Sequence, residues 1–519
     1  MSQSDQDKDA IIAALRQENA AQKESIALLE HKVDYLIKQL HGRKSEKLDA
    51  SQLELLLNPE EAKKPDAAEC DQDVPAADQE QENQAEKPRR KRQSRLRKSI
   101  ESLPCFEEVI EPDEVKENPE AFRRIGEEVS ERLEVSPARY YRKRIVRPTY
   151  VSKLDPQVAP NTAALPAPLL ENSVLSASLA ADILSKKYCY HMPFQRQEWE
   201  LRTAYGIEIS RALMCHWHGH LAGVLEPLYK LLAAELRNSG YLQIDETPID
   251  YLEPGHGKTK TGYLWVYHNP EAGVLYDWHN SRAGTCLDNI LIDKITGEYF
   301  KGLMQTDGFS GYTAWLADKN DVIRAACLAH IRRKFIEAKD DHPAHVASVL
   351  KLIARIYAIE AELRESGADA GQRLAVRQTR TRPVLDELHQ TITGLGQRND
   401  ILPKGPLGKA LTYAKGQWSG TVVWTESGEI ELDNNRVENC IRPTKLGAKN
   451  WLFIGGEDTG WRTAVIYTMI ENVRRHGKDP RAYLEWVFER LPAMTNQQDL
   501  RELLPAAWVE QQNAGTKSA

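Results

Sequence analysis

The stretch YLQIDET (241–247), read together with GLMQTDGFSGY (302–312) and VIRAACLAHIRRKFIEAK (322–339), decides the fold of this chain. YLQIDET reads as a short apolar strand ending in Asp245. Two more strand candidates follow, TGYLWVYHN (261–269) and GVLYDWHNS (273–281). A helical stretch around TCLDNILIDKI (285–295) leads to GLMQTD, a strand ending in Asp307. A helix over YTAWLAD (312–318) then leads to VIRAACLAH, a further strand, and to IRRKFIEAK, a basic helix.

The order β-β-β-α-β-α-β-α predicts an α/β domain of the ribonuclease-H-like kind, with three antiparallel strands and then parallel strands joined through helices. In an open α/β sheet, ligands bind where neighbouring strands expose their ends. Asp245 on the first strand and Asp307 on the fourth can therefore be neighbours, although 307 − 245 = 62 residues separate them. Two adjacent carboxylates repel, so the arrangement makes most sense around a cation. Hard oxygen ligands suit Mg²⁺ or Mn²⁺. Two such ions about 3.5–4 Å apart activate a nucleophile and stabilise a leaving oxygen in phosphodiester chemistry.

A third acidic ligand is sought downstream, in ELDNNRVENCIRPTKLGAKNWLF (431–453). Asp433 or Asn434 can cap a helix there, which places Glu438 in its early turns, and Pro443 should end or kink that helix. The separation of 438 − 307 = 131 residues implies an insertion, and residues 342–415 have a mostly helical pattern. Each acid also has an ordinary reading: a strand-end turn residue for either aspartate, or a charge near a helix N-terminus for Glu438. Glu246, Asp250 and Glu431 are rivals that spacing alone leaves open.

Upstream the chain is segmented. From Ile12 the positions Leu15, Asn19, Gln22, Ile26, Leu29, Val33, Leu36 and Leu40 step by three and four, and seven of these nine are apolar. That seam predicts a dimerising coiled coil over 10–48, with Asn19 favouring an in-register pair. Residues 49–86 read as a disordered acidic linker; from 58 to 86 there are ten acidic residues against two lysines. The sign then switches in KPRRKRQSRLRK (87–98), where eight of twelve residues are basic. Such a run, including Arg89, Arg90, Lys91 and Arg92, is suited to DNA phosphates through counterion release, although it could also be a solvated run balancing the linker. It opens a segment over 87–155 of short strands and turns. Residues 173–238 read as helices. Within them FQRQEWELRTAYGIEISRALMCHWHGHL (194–221) has the outline of a helix-turn-helix or of an ordinary helical hairpin, with a break at Gly206 and a cap at Ser210. His216, His218 and His220 alternate and cannot share one helical face, so they are expected at the surface or in packing.

The 519 residues suggest roughly three or four domains. No run of about 18 apolar residues occurs, which argues against a membrane span. The charged start MSQSDQDKDA lacks the apolar core of a secretory signal. The seven cysteines form no C-x-x-C pair, so a disulfide framework is not expected and a reducing, cytoplasmic location fits. The net charge of −7 by itself disfavours nucleic acid, but it averages over opposite patches.

Several motifs together resemble the insertion sequence 66 family of bacterial transposases: IDETP (244–248), TDGFSGY (306–312), CLAHIRRKF (327–335) and DNNRVENCIRPTKLGAKNWLF (433–453). The closing IYTMIENVRRHGKDPRAYLEWVFERLP (466–492) and LHGRKSEKL (40–48) are similar to that family's terminal regions. The resemblance implies a DDE-type transposase with Asp245, Asp307 and Glu438 as the catalytic, metal-binding triad, in a catalytic domain over 239–455. A helical C-terminal segment over 456–495 and a tail over 496–519 would follow. It implies cleavage at the element's terminal inverted repeats by metal-activated water and attack of the freed 3′-hydroxyl on target DNA. Self-association and small accessory proteins from the same element are also implied. Arg332, Arg333 and Lys334, with Arg442, Lys445 and Lys449, are then expected at DNA phosphates. Family members usually carry a cysteine-rich zinc segment near 101–150. Here only Cys105 is present, so no zinc is expected. A catalytically silent DNA-binding regulator derived from such a transposase is the alternative.

Overall fold

The computed structural model describes residues 140, 141, 143, 145, 149–150, 161–162 and 167–517, except 254, 256 and 495–497. The expected coiled coil, the acidic linker and the basic run with Arg89, Arg90, Lys91 and Arg92 lie outside the described residues. A two-residue antiparallel ribbon, β1 (Thr149–Tyr150) with β2 (Asn161–Thr162), precedes the helices.

Three helices open the well-packed region: α1 (Ala177–Tyr188), α2 (Phe194–Tyr205) and α3 (Arg211–Arg237). Their ends follow from the sequence. The Ser176 and Ser210 hydroxyls accept hydrogen bonds from the Leu179 and Leu213 amides, each at 3.2 Å, satisfying donors the helix cannot. Gly206, at φ +66°, closes α2 in the left-handed conformation that glycine adopts without steric cost. Helix α3 buries Met214, Trp217, Leu221, Leu225, Leu228, Leu232 and Leu236, a stripe at steps of three and four. His218 is buried between the rings of Tyr188 and Phe194, His220 reaches the Leu169 carbonyl at 2.8 Å, and His216 is exposed.

Five strands then form one mixed sheet in the order β5-β4-β3-β6-β7. They are β3 (Tyr241–Leu252), β4 (Thr259–Asn269), β5 (Gly273–His279), β6 (Gly302–Thr306) and β7 (Val322–Ala326). The first three pair antiparallel, whereas β6 pairs parallel with both β3 and β7. Between β5 and β6 the expected long helix is shorter: a 3₁₀ turn at Gly284–Leu287 and α4 (Asp288–Leu291). Helix α5 (Ser310–Leu316) links β6 to β7, and α6 (Leu328–Glu337) leaves β7 three residues earlier than the basic run suggested. His330 is therefore helical, not part of a strand.

The start of β6 lies hard against the end of the loop before β3. Gly302 has φ +123°, and a Cβ there would stand 2.1 Å from the Gly240 carbonyl oxygen. Gly302→Ala is expected to destabilise the fold by about 2–4 kcal/mol, through strain and displacement of that carbonyl. Urea unfolding measures this, and a cost below about 0.5 kcal/mol would show that the β3–β6 junction tolerates a side chain.

After α6 come α7 (Pro343–Glu365), α8 (Ala370–Val376), a π-helical turn at Arg377–Thr381, α9 (Arg382–Leu395), α10 (Pro406–Gly416) and α11 (Trp418–Val422). With α6 these helices pack around a second core that includes Ile353, Ile356, Leu388 and Trp424. Helix α12 (Asn435–Trp451) returns to the sheet. It runs through Pro443, expected to end or kink it; the residue does not end it, although its ring removes the hydrogen bond to the Asn439 carbonyl. After it, Ile454 pairs with the end of β3 through Leu252 N to Ile454 O at 2.9 Å and Ile454 N to Asp250 O at 2.8 Å.

Helix α13 (Gly460–Arg474) covers the open edge of β5. Thr468 Oγ1 accepts from the Tyr276 amide at 3.0 Å. The Asn472 side-chain amide both accepts from Val274 N (2.9 Å) and donates to Val274 O (2.6 Å). Side chains thus replace a missing neighbouring strand, which both satisfies the edge and blocks pairing with another chain. Helices α14 (Pro480–Arg490) and α15 (Pro505–Lys517) complete this region. No helix among the described residues is long and apolar enough to cross a membrane.

Candidate active site

Asp245 does not end its strand as expected but sits within β3, which continues to Leu252 because its pairing with β4 does; Asp307 immediately follows β6, and Glu438 lies in the first turn of α12. The parallel register of Gln243 with Gln305 brings the two aspartates to the same end of adjacent strands. The loop carrying Asp307 is held from several sides. Its carboxylate accepts from the Phe309 amide at 2.9 Å, and its carbonyl accepts from Arg324 NH1 at 2.9 Å. Arg324 NH2 reaches Gln417 Oε1 at 2.7 Å, and the Gly308 amide donates to the Tyr413 hydroxyl at 3.2 Å. The inserted helices α10 and α11 therefore buttress the second aspartate.

Glu438 is delivered by a buried polar network. Gln243 Nε2 donates to Gln305 Oε1 (3.0 Å) and to the Asp433 carbonyl (2.8 Å), and Gln305 Nε2 donates to the Glu431 carbonyl (2.7 Å). The Tyr241 hydroxyl donates to Gln305 Oε1 at 2.7 Å and accepts from the Glu431 amide at 3.2 Å. Asn434 Nδ2 reaches the Ile244 carbonyl at 3.3 Å, and its backbone amide reaches Cys327 Sγ at 3.2 Å. Residues 431–434 are thereby fastened across β3, β6 and the start of α6, which sets α12 and Glu438 beside the sheet. Two acceptors of this network, Gln243 Oε1 and Asn434 Oδ1, are buried without a hydrogen-bond partner, so it fixes geometry at some cost in desolvation.

The electrostatics show that the three acids share one locality. Burial, together with the charges of Glu246, Asp307 and Glu438, pushes the Asp245 carboxyl up to about 8. Burial lowers the His330 imidazole, opposed by Glu438 and Asp307 and reinforced by Arg333 and Lys334. Glu438 Oε2 lies 3.6 Å from Arg333 NH2, and its Oε1, buried without a hydrogen-bond partner, lies 3.9 Å from His330 Nε2.

The rival acids are engaged elsewhere. Glu246, its side chain 1% exposed, binds Arg282 and the Tyr312 hydroxyl. Glu431 faces Arg436 (2.9 Å) and Arg373 (3.5 Å), and exposed Asp250 accepts from Thr261 at 3.3 Å. Cys327 caps α6 with its backbone and is buried.

Asp245, Asp307 and Glu438 present only carboxylate oxygens, the donor set a hard divalent cation takes. The raised Asp245 carboxyl and the orphaned Glu438 Oε1 both mark a place that favours positive charge, so these residues fit such an ion. As placed, no three His, Cys, Asp or Glu side chains among the described residues stand close enough to make a ready ion site. Glu438 turns toward His330 and Arg333 instead.

Of the basic residues expected at DNA, Arg332 and Arg442 are exposed on α6 and α12, the helices that carry His330 and Glu438. Lys334 pairs with Glu337 at 2.8 Å, Lys445 donates to the Pro248 carbonyl at 2.6 Å, and Lys449 lies in the last turn of α12. Sequence reasoning missed Arg282, Arg324, Tyr413 and Gln417. Only Arg324 carried a signal, a lone cation inside the apolar VIRAA strand.

A family model described as the transposase IS66 family matches residues 172–461, and one described as the IS66 C-terminal element matches 468–506. A third, described as transposase C of IS166 homeodomain, matches 28–104. Among curated relatives, the uncharacterized protein y4jD of Sinorhizobium fredii (strain NBRC 101917 / NGR234) is 31% identical over 502 residues, covering 93% of this chain and 95% of the relative. The uncharacterized protein y4qI of the same organism is 29% identical over 514 residues, covering 96% and 92%. With the family models spanning the sheet, helix α12 and the helices that cover them, the chain belongs to the transposase IS66 family, and its partner is DNA.

Proposed function

We propose that this chain is a DDE-type transposase that cleaves DNA at the ends of its mobile element and transfers the freed 3′ end to a target phosphodiester. The supporting observation is the convergence of Asp245, Asp307 and Glu438 at one end of the β3–β6 pair, from three segments far apart in sequence. In this reading the sheet, with antiparallel β3–β5 and parallel β6 and β7, is a ribonuclease-H-like core. The N-terminal seam pairs two copies, the basic run at 87–98 holds DNA, and accessory proteins of the same element assist.

The three carboxylates would hold Mg²⁺ or Mn²⁺, which when bound supplies charge stabilisation at the reacting phosphate. The chain itself does the positioning. Asp307 is fixed by Phe309, Arg324 and the Gly308–Tyr413 contact, so its carboxylate has little conformational entropy left to lose. Arg332 and Arg442 offer exposed cations for the DNA backbone. His330, lowered by burial, is neutral near pH 7 and able to accept a hydrogen bond from water or a hydroxyl.

The test is Mg²⁺-dependent nicking of a duplex carrying the element's own terminus, with accessory proteins added. The expected result is a single 3′-hydroxyl nick at the element boundary with wild type and none with Asp307→Asn, which still binds the duplex. Specific binding by wild type without nicking in either Mg²⁺ or Mn²⁺ would overturn this reading and leave a silent DNA-binding regulator.

A further inference from the structure

Glu246 and Arg282 form an unusual pair beside the carboxylates. Successive strand residues point to opposite faces, so Glu246 turns away from Asp245. Its carboxylate is almost wholly buried, and both oxygens are used. Oε1 accepts from Arg282 Nε at 2.6 Å and pairs with NH2, and Oε2 accepts from the Tyr312 hydroxyl. Arg282 lies just after β5, which runs parallel to β3, and so stands at the same end of the sheet as Asp307. Its guanidinium stacks on the Phe309 ring, 4.1 Å from the centroid, and Phe309 is the residue whose amide holds the Asp307 carboxylate. The Arg282 side chain is 44% exposed, and NH1 makes no hydrogen bond among the described residues.

Burying a carboxylate for the sake of a half-exposed guanidinium is a poor source of stability compared with apolar packing. What it supplies is a guanidinium fixed on one edge by Glu246, on one face by Phe309, and open on the remaining edge. We propose that Arg282 is a phosphate-binding residue of the cleavage site, positioned by Glu246, which holds a non-bridging oxygen of the DNA backbone against the Asp245–Asp307 end of the sheet. This rests on the transposase reading above. It answers a difficulty of that reading: a DNA phosphate approaching three carboxylates needs protein cations fixed close by, and the planar fork of arginine matches phosphate geometry.

The probe is the terminal duplex in Ca²⁺, with one methylphosphonate at a time replacing the phosphates around the cleavage position. Wild type is expected to bind one substituted duplex about five- to tenfold more weakly than the unmodified one, whereas Arg282→Met binds both alike. Its salt dependence should also lose about one unit of log–log slope. Glu246→Gln, which keeps the guanidinium but loosens its anchor, should show a smaller discrimination at the same phosphate, and Arg282→Lys a partial recovery. Should Arg282→Met fail to fold because Glu246 is left unpaired, the Glu246→Gln/Arg282→Met double variant carries the same test. Retention of wild-type discrimination by Arg282→Met or the double variant would overturn the proposal and make Arg282 only a counter-ion. Because these are binding measurements, failure of wild type to nick would refute the reaction without deciding the role of Arg282.

Discussion

Asp245→Asn is expected to lower strand cleavage by about a hundredfold or more and, at the same time, to make the metal-free chain more stable. The two effects share one cause. Asp245 is pushed up to about 8 by burial and then by Glu246, Asp307 and Glu438, against about 3.9 in an unfolded chain. A carboxyl raised in this way holds a proton in the folded state that the unfolded state has released. Stability therefore falls as pH rises from about 4 to about 8, and falls no further above that. Asparagine has no such proton. The stability gap between Asp245→Asn and wild type should open across that window to roughly 2–4 kcal/mol by pH 8, read by urea unfolding in chelator. A gap that stays flat between pH 5 and pH 8 would refute the assignment of Asp245 as the strained member.

The same proton links the site to its cation. At pH 7, Mg²⁺ should raise the melting temperature of wild type with release of about one proton, and should do neither to Asp245→Asn. This separates a cation held by the carboxylates from general screening, which would shift both proteins equally.

How much of this was legible beforehand depends on the kind of interaction involved. Asp245 and Asp307 drew attention because each breaks an apolar run, although only β6 stops there, at Thr306, while β3 runs on through Asp245 to Leu252. The break at Gly206 and the cap at Ser210 were readable because glycine and serine act locally. Glu438 could be suggested from helix chemistry but not set apart from Glu431, since the segment before it is held by Tyr241 and Gln243, 190 residues upstream of their partners, and by Gln305, 126 residues upstream of Glu431. Arg282 and Tyr413 gave no signal at all. Their roles arise from side chains meeting across the sheet edge and across the insertion. Pro443 misled because its local rule is strong, yet α12 is fastened before it by the 431–434 network and after it by Ile454, and packing overrides propensity.

The largest stability loss is expected at Arg377, deep in the insertion. This fully buried residue, in the π-helical turn, donates from Nε and NH2 to both oxygens of fully buried Glu360 at 2.6 and 2.9 Å, and from NH1 to the Ser427 carbonyl at 2.7 Å. Arg377→Met leaves a carboxylate without its bidentate partner in the interior and should cost about 3–5 kcal/mol. Nearby Arg373, 3.5 Å from both Glu360 and Glu431, is too distant to replace it. Removing the charge from both partners, in Arg377→Met/Glu360→Leu, should restore about 2 kcal/mol or more of that loss, since an apolar pair has no desolvation to offset. Additive losses in this cycle would show the two side chains to be uncoupled. The pair also bears on the reaction. Ser427 and, through Arg373, Glu431 belong to the segment that leads into Glu438, so the insertion grips the chain just before the third carboxylate. Arg377→Met should therefore depress nicking more than its folded fraction explains, and the double variant should recover stability before it recovers cleavage, because the Ser427 contact stays lost.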